Sequence, residues 1–248
     1  MTYCVGALLK DGIIFASDSR TNAGVDHFAT FCKLTVFERP GDRVIVLLSS
    51  GSLAGTQAVI SLLKQRAEAG ADTKNVWNAG TMFDVANLIT DATRDIERRD
   101  VAHLNRAHLP FDASFIFGGQ IKGEPQRLFR TYAETNFVEA EFGTPFLQTG
   151  ETKYGKPILH WGINSNTSLS DATKCVLVSF DSTMRSNLSV GMPIDFVRYE
   201  RDSLRVGVRR RFEPEDPYFA ALSKQWREGV RTVFSQLPEP EEQAPTSR

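Results

Sequence analysis

The chain has 248 residues, 41% of them apolar and 24% charged, which is within the range of one large globular domain. Acids and bases nearly balance, to a formal net charge of -1, so no global field favours nucleic acid or an anionic membrane. Cys4, Cys32 and Cys175 have neither the even count of a disulfide scaffold nor the close spacing of a zinc site, and the N-terminal stretch is too short and alternating for a signal peptide or membrane span. A cytoplasmic setting is expected, with no metal and no cofactor.

Tyr3 to Leu9 and Gly12 to Asp18 are short apolar runs joined by Lys10-Asp11-Gly12, whose Asp-Gly pair marks a hairpin. Lys33 to Glu38 and Arg43 to Ser49 repeat the pattern around Arg39-Pro40-Gly41-Asp42, so four strands are expected before any helix. Leu53, Ala54, Ala58, Leu62 and Leu63 then follow helical spacing, predicting a helix over 53–68, and a second over 78–99. Strands are expected at Ala113 to Gly119 and Gln126 to Thr131, joined by Gly118-Gly119 through Pro125, and at Phe146 to Thr149. Helical spacing returns at 152–161 and 169–187, and an alternating hairpin at 194–200 and 203–211. A last helix is read near 215–236, within one domain spanning 1–236, and 237–248, rich in Pro and Glu, read as a disordered tail. The order of strands, helices, strands, helices, strands does not suit a doubly wound parallel sheet. It suits an α+β fold in which two antiparallel sheets are covered on their outer faces by helices, a four-layer sandwich.

A hydroxyl needs a base within hydrogen-bond reach to act as a nucleophile near neutral pH, and an N-terminal threonine carries one in its own α-amine. Thr2 would supply both groups once Met1 is removed, and threonine is small enough to permit that removal. At Asp18-Ser19-Arg20 a strand ends in a carboxylate and a guanidinium on one side. Placed beside Lys33, Asp18 would hold the ammonium near the Thr2 hydroxyl and stabilise the developing alkoxide. Taken singly, each of these residues reads more simply as an ordinary surface or strand residue.

Together, Thr2, the Lys10-Asp11-Gly12 turn, Asp18-Ser19-Arg20, Gly24, Lys33 and Ser50-Gly51-Ser52 have the order and near-spacing of proteasome beta-type subunits, and the chain resembles that family. The Thr-Tyr-Cys-Val-Gly start, the stretch from Asp18 to Asp26 and the stretch from Asp181 to Gly191 look most like its Anbu branch, the bacterial ancestral beta-subunits. The resemblance implies an alpha-beta-beta-alpha sandwich of the N-terminal-nucleophile (Ntn) hydrolase type. It implies Thr2 as nucleophile, Asp18 and Lys33 as its activating partners, the backbone N–H of Gly51 as oxyanion donor, and Ser189 near the threonine amine. Arg20, Asn22, Ser50 and Ser52 fall at substrate-channel positions. Three departures stand out: the family aspartate three residues before the serine falls on Ser186, the usual Gly-Ser-Gly reads Thr149-Gly150-Glu151, and a family threonine is replaced by Asn22.

The expected activity is a threonine-type peptidase or amidohydrolase, working through an acyl-enzyme in a self-assembled homo-oligomer, ring or spiral. Alternatives are an Ntn amidase acting on a small amide or isopeptide-like bond, and a silent scaffold subunit; the presence of Thr2, Asp18 and Lys33 together favours an enzyme. The sequence offers no ATPase segment, so an unfoldase would be a separate chain. His27, His103, His108 and His160 lack metal-ligand spacing. Cys4 reads as a packed thiol, and Arg209-Arg210-Arg211 as a solvated or subunit-facing strand end.

Overall fold

The computed structural model describes residues 2–22, 28–70, 72–106, 111–132 and 136–239. It opens with hairpin β1 (Tyr3–Leu9) and β2 (Gly12–Asp18), followed by the short pair β3 (Arg20–Asn22) and β4 (Phe28–Thr30). Next come β5 (Leu34–Arg39), β6 (Arg43–Gly51), α1 (Leu53–Glu68) and α2 (Met82–Arg106). Strands β7 (Ala113–Ile121), β8 (Arg127–Thr131), β9 (Phe137–Glu139) and β10 (Phe146–Gly150) precede α3 (Lys156–Gly162) and α4 (Leu169–Ser186). The last hairpin is β11 (Ile194–Glu200) with β12 (Val206–Phe212), and α5 (Pro217–Ser235) follows.

Among the described residues, two five-stranded antiparallel sheets form, in the orders β10-β1-β2-β11-β12 and β5-β6-β7-β8-β9. Their facing sides share a core in which Leu8, Phe15 and Val197 meet Val46, Leu48 and Ile116. Helices α1 and α2 cover the outer face of the second sheet, where Val59, Leu63 and Ile89 pack with Leu47, Phe117 and Phe129. Helix α4 covers the first sheet, with the Phe180 ring 4.6 Å from that of Tyr3, and α3 packs on α4. This is the expected four-layer sandwich. It explains why β1, β2 and most of β6 are buried along their whole length instead of alternating: each strand has a covered layer on both sides.

Several boundaries differ from the sequence reading, each for a local reason. Among the described residues six strands, not four, precede α1, because β3 and β4 are only three residues long and carry too little periodicity to be read. Helix α2 begins at Met82 because Thr81 and Asp84 form a reciprocal cap, the Asp84 N–H donating to Thr81 Oγ1 at 3.0 Å and the Thr81 N–H to Asp84 Oδ2 at 3.0 Å. Upstream, Asn75 and Asn78 fold the chain into a side-chain-bonded turn. Helix α3 starts at Lys156 because Pro157 sits in its first turn. Gly118 and Gly119 belong to β7 and do not make the turn, which is Lys122-Gly123-Glu124, closed by the Glu124 N–H to Ile121 O at 3.0 Å. A Cβ on Gly118 would lie 2.5 Å from Arg127 O, so these glycines serve close strand approach. Strand β9, only three residues long, lies outside the expected strands; its Phe137 meets Phe129 edge-on at 5.6 Å.

The chain divides into two compact units between Pro214 and Glu215, and the sandwich is the first. In the second, α5 is capped by Asp216, which accepts the Phe219 N–H at 2.9 Å, and carries Pro217 in its first turn. Most of the proposed tail, 240–248, lies outside the described residues. Among the described residues no helix is long and apolar enough to cross a membrane.

Close sheet packing leaves little slack at Gly6, where a Cβ would lie 2.8 Å from Ile116 Cγ2 and 2.9 Å from Leu128 Cδ1. Gly6→Ala is therefore expected to cost about 1–3 kcal/mol through overpacking between the sheets, read as a lowered midpoint in urea unfolding.

Candidate active site

Thr2 stands just ahead of β1 and is 8% exposed. Its carbonyl accepts the Glu151 N–H at 2.6 Å, at the end of β10. Gly150 makes that approach possible: its φ is +82°, and a Cβ there would fall 1.9 Å from Thr2 O. The next residue is anchored twice, since the Tyr3 N–H donates to Asp18 Oδ1 at 3.1 Å and the Tyr3 hydroxyl to Ser179 Oγ at 3.1 Å while accepting from Gln148 Nε2 at 2.7 Å. The N-terminal segment is thereby held by β2, β10 and α4 together.

Asp18, at the end of β2, is fully buried. Lys33 donates to Asp18 Oδ1 at 2.7 Å and to the Arg20 carbonyl at 2.6 Å. The Gly191 N–H adds a longer bond to Asp18 Oδ2, 3.3 Å. Burial pushes the Asp18 carboxyl up from the ordinary carboxylate range; the Lys33 ammonium and the two backbone N–H groups oppose that push and favour the ionised form. The sequence-based pairing of Asp18 with Lys33 is thus present in the fold.

Thr2, Lys33, Ser50, Gly51 and Thr149 line one cavity of about 370 Å³. Gly51 closes β6 with a φ of +104°, a backbone conformation that turns the chain sharply into α1. Ser50 Oγ lies 3.0 Å from Thr149 Oγ1, linking the ends of β6 and β10 across the cavity wall. Nucleophile candidate, ammonium and glycine N–H candidate therefore share one concave surface.

Other sequence-selected residues are placed differently. Arg20 is not on the cavity wall; it donates to Leu188 O at 2.8 Å, and its guanidinium lies against Gly191, where a Cβ would come within 2.2 Å of Arg20 Cζ. Ser52 caps α1, accepting the Gly55 N–H at 3.4 Å. Asn22 pairs through its backbone with Phe28. Ser189 is half-buried, off the cavity wall, with its N–H donated to Asn187 Oδ1 at 2.9 Å. Ser186 is exposed and donates to Ser182 O.

A residue that sequence reading did not select completes the surroundings. Asn187, just past α4, donates from Nδ2 to Glu151 Oε2 at 2.9 Å, so the acid that stands in the Thr149-Gly150-Glu151 stretch is tied to the Ser189 loop. A helix-terminal asparagine is a visible signal, but its partner 36 residues away is not. Cys4 is packed between the sheets, with burial pushing its thiol up. Arg211 pairs with Asp195 at 3.2 Å and Glu213 at 3.3 Å, in keeping with a solvated strand end. His103 is exposed and His160 stacks edge-on against Phe146, whereas His27, His108 and Gly24 lie outside the described residues. Among the described residues no group of His, Cys, Asp and Glu has the arrangement of a metal site.

No family model and no curated protein matches the chain. Solved structures do. The chain is similar to Anbu (ancestral beta-subunit) from Yersinia bercovieri, at 44% identity and a TM-score of 0.91, covering 96% of this chain and 99% of that one. It is similar to Anbu from Hyphomicrobium sp. strain MC1 at 46% identity and a TM-score of 0.89, over 97% of this chain and 100% of that one. It is also similar to the subunit in the helical assembly of the Anbu complex from Pseudomonas aeruginosa, at 46% identity and a TM-score of 0.92, over 96% and 98% of the two chains.

The Glu151–Asn187 contact can be tested by stability. Asn187→Ala is expected to cost about 1–3 kcal/mol, because it strips a donor from a buried carboxylate, and Asn187→Asp should cost more by setting a second carboxylate against the first. Calorimetric melting checks this; equal Tm values for the wild type and both variants would exclude the contact.

Proposed function

Because the chain belongs to the Anbu family of proteasome-type beta-subunits, within the Ntn-hydrolase superfamily, we propose that it is a threonine hydrolase cleaving peptide or amide bonds at Thr2 after removal of Met1. The observation that carries this reading is the Lys33 ammonium, held between Asp18 Oδ1 and the Arg20 carbonyl on the wall of the cavity that Thr2 also lines. Two of its three N–H groups are engaged there, which leaves one for the Thr2 hydroxyl.

The freed Thr2 α-amine takes the hydroxyl proton as Oγ attacks the substrate carbonyl carbon, and Lys33 stabilises the developing alkoxide. The Gly51 N–H supports the oxyanion of the tetrahedral intermediate. Collapse expels the leaving amine, which takes the proton from the α-amine, and leaves an ester on Thr2. Water, deprotonated by the same amine, then hydrolyses the ester and regenerates Thr2. In this reading Ser189 and Asp18 are positioning residues, the first near the Thr2 amine and the second through Lys33.

A homo-oligomer is part of the proposal. An accessible threonine hydrolase would attack many chains around it, and a helical assembly is described for the Pseudomonas aeruginosa relative. Head-to-tail contacts that do not close give a spiral, which suits that relative better than a closed ring. Three free cysteines accord with a reducing, cytoplasmic setting.

Intact-mass measurement should show loss of Met1, and an epoxyketone or beta-lactone should label the wild type but not Thr2→Ala; equal labelling of the two would refute the nucleophile assignment. Lys33→Ala is expected to slow acylation by at least about two orders of magnitude, since it removes a positioned charge. Adding Asp18→Asn to Lys33→Ala should lower the rate little further, because the carboxylate acts through the ammonium; losses that multiply would separate the two roles.

A further inference from the structure

On the reading that Thr2 is the nucleophile, the cavity also carries information about what it accepts. Among the described residues its charged wall residues are Lys33 and Asp112, and they are not equivalent. Lys33 is neutralised by Asp18 at 2.7 Å. Asp112, just ahead of β7, uses its backbone carbonyl to accept the Ser52 N–H at 2.7 Å, while its carboxylate has no hydrogen bond or ion pair among the described residues. That carboxylate stands next to the oxyanion-donor candidate: a Cβ on Gly51 would lie 2.7 Å from Asp112 Oδ1.

Two of the other hydroxyls on the wall are already committed as donors. Thr56 donates its hydroxyl to Ser52 O at 2.9 Å, and Ser49 to Lys33 O at 3.3 Å, so neither has its proton free for an anion. Among the described residues Thr21 Oγ1, buried on this wall, has no hydrogen-bond partner, which leaves it for a ligand. Among the described residues Leu53 is the one large apolar side chain lining the cavity, enough to cover a methylene stem but not to hold a bulky apolar group.

An anionic side chain would meet the repulsion of Asp112. An apolar one would bury Asp112 and Thr21 Oγ1 without partners, which is unfavourable. A cation satisfies both, and by neutralising Asp112 it removes a negative charge from beside the forming oxyanion. We infer that the Thr2 cavity selects acyl groups whose side chain ends in a cation, an ammonium or guanidinium seated against the Asp112 carboxylate and the Thr21 hydroxyl.

The test uses three peptide epoxyketones that differ only in the residue bearing the electrophile: lysine, norleucine or glutamate. Formation of the cyclic adduct, in which the Thr2 hydroxyl adds to the ketone and the α-amine opens the epoxide, is followed by intact mass of the Met1-free full-length protein. The lysine probe is expected to react about two- to fivefold faster than norleucine, with glutamate slowest, as for one charge pair at an exposed carboxylate. Asp112→Asn should bring the lysine-to-norleucine ratio close to one, and Asp112→Lys should favour glutamate over lysine. Melting temperatures confirm that the variants fold, since only the side chain of Asp112 changes and its backbone bond to Ser52 stays. Norleucine reacting as fast as lysine, or a ratio that survives Asp112→Asn, overturns the inference. If no probe labels Thr2, it is the nucleophile reading that fails. Selectivity is then read from calorimetric binding of the corresponding peptide amides, where a lysine preference lost in Asp112→Asn supports the inference and equal affinities overturn it.

Discussion

The site depends on one buried ion pair, Lys33 with Asp18, whose side chains are 6% and 0% exposed. Charges so far from water persist only when their hydrogen-bonding capacity is met, and removing one partner of such a pair costs about 3–5 kcal/mol. Here the carboxylate receives Lys33 and the Tyr3 and Gly191 N–H groups, and the ammonium also reaches the Arg20 carbonyl. Those bonds join the start of β1, the end of β2, the residue ahead of β5 and the loop ahead of β11. A charge pair that must be satisfied thus fixes four backbone segments around one cavity.

The sandwich supplies the rigidity that this arrangement needs. Residue 3 lies between a helix and a sheet, with its ring on Phe180 and its hydroxyl bonded to Ser179 and Gln148. Thr2, one residue earlier, inherits that placement and is held from the other side by the Glu151 N–H. Arg20, read from sequence as a substrate contact, holds the loop of Leu188 and Gly191 instead, and that loop in turn donates to Asp18. Elements far apart in sequence are closed into one ring of hydrogen bonds around the chain start.

Membership in the Anbu family accounts for the general design, and the departures from the proteasome pattern give this site its own character. Glu151, where a serine is usual, does not float near the threonine as a free acid: it is 8% exposed and bonded to Asn187. The wall chemistry is mostly hydroxyl, with a carboxylate at Asp112 that has no partner among the described residues.

The amino-acid sequence by itself determined the elements whose signals are local. The hairpins over Tyr3–Leu9 with Gly12–Asp18, the helix over Leu53–Glu68 and the strand Ile194–Glu200 rest on periodicity and turn chemistry contained in a few consecutive residues. It also singled out Thr2, Asp18, Lys33 and Gly51 as candidates, because their order and spacing match a family pattern. Only the tertiary structure decided which of the selected polar residues face the cavity. Ser50 does, whereas Ser52 became a helix cap and Arg20 a loop clamp. The links from Glu151 to Asn187, and from Asp112 to the neighbourhood of Gly51, were likewise settled only in three dimensions. The physical reason is that a polar side chain must find a partner, and residue type and spacing leave that partner open until packing brings distant strands and helix ends within about 3 Å of one another.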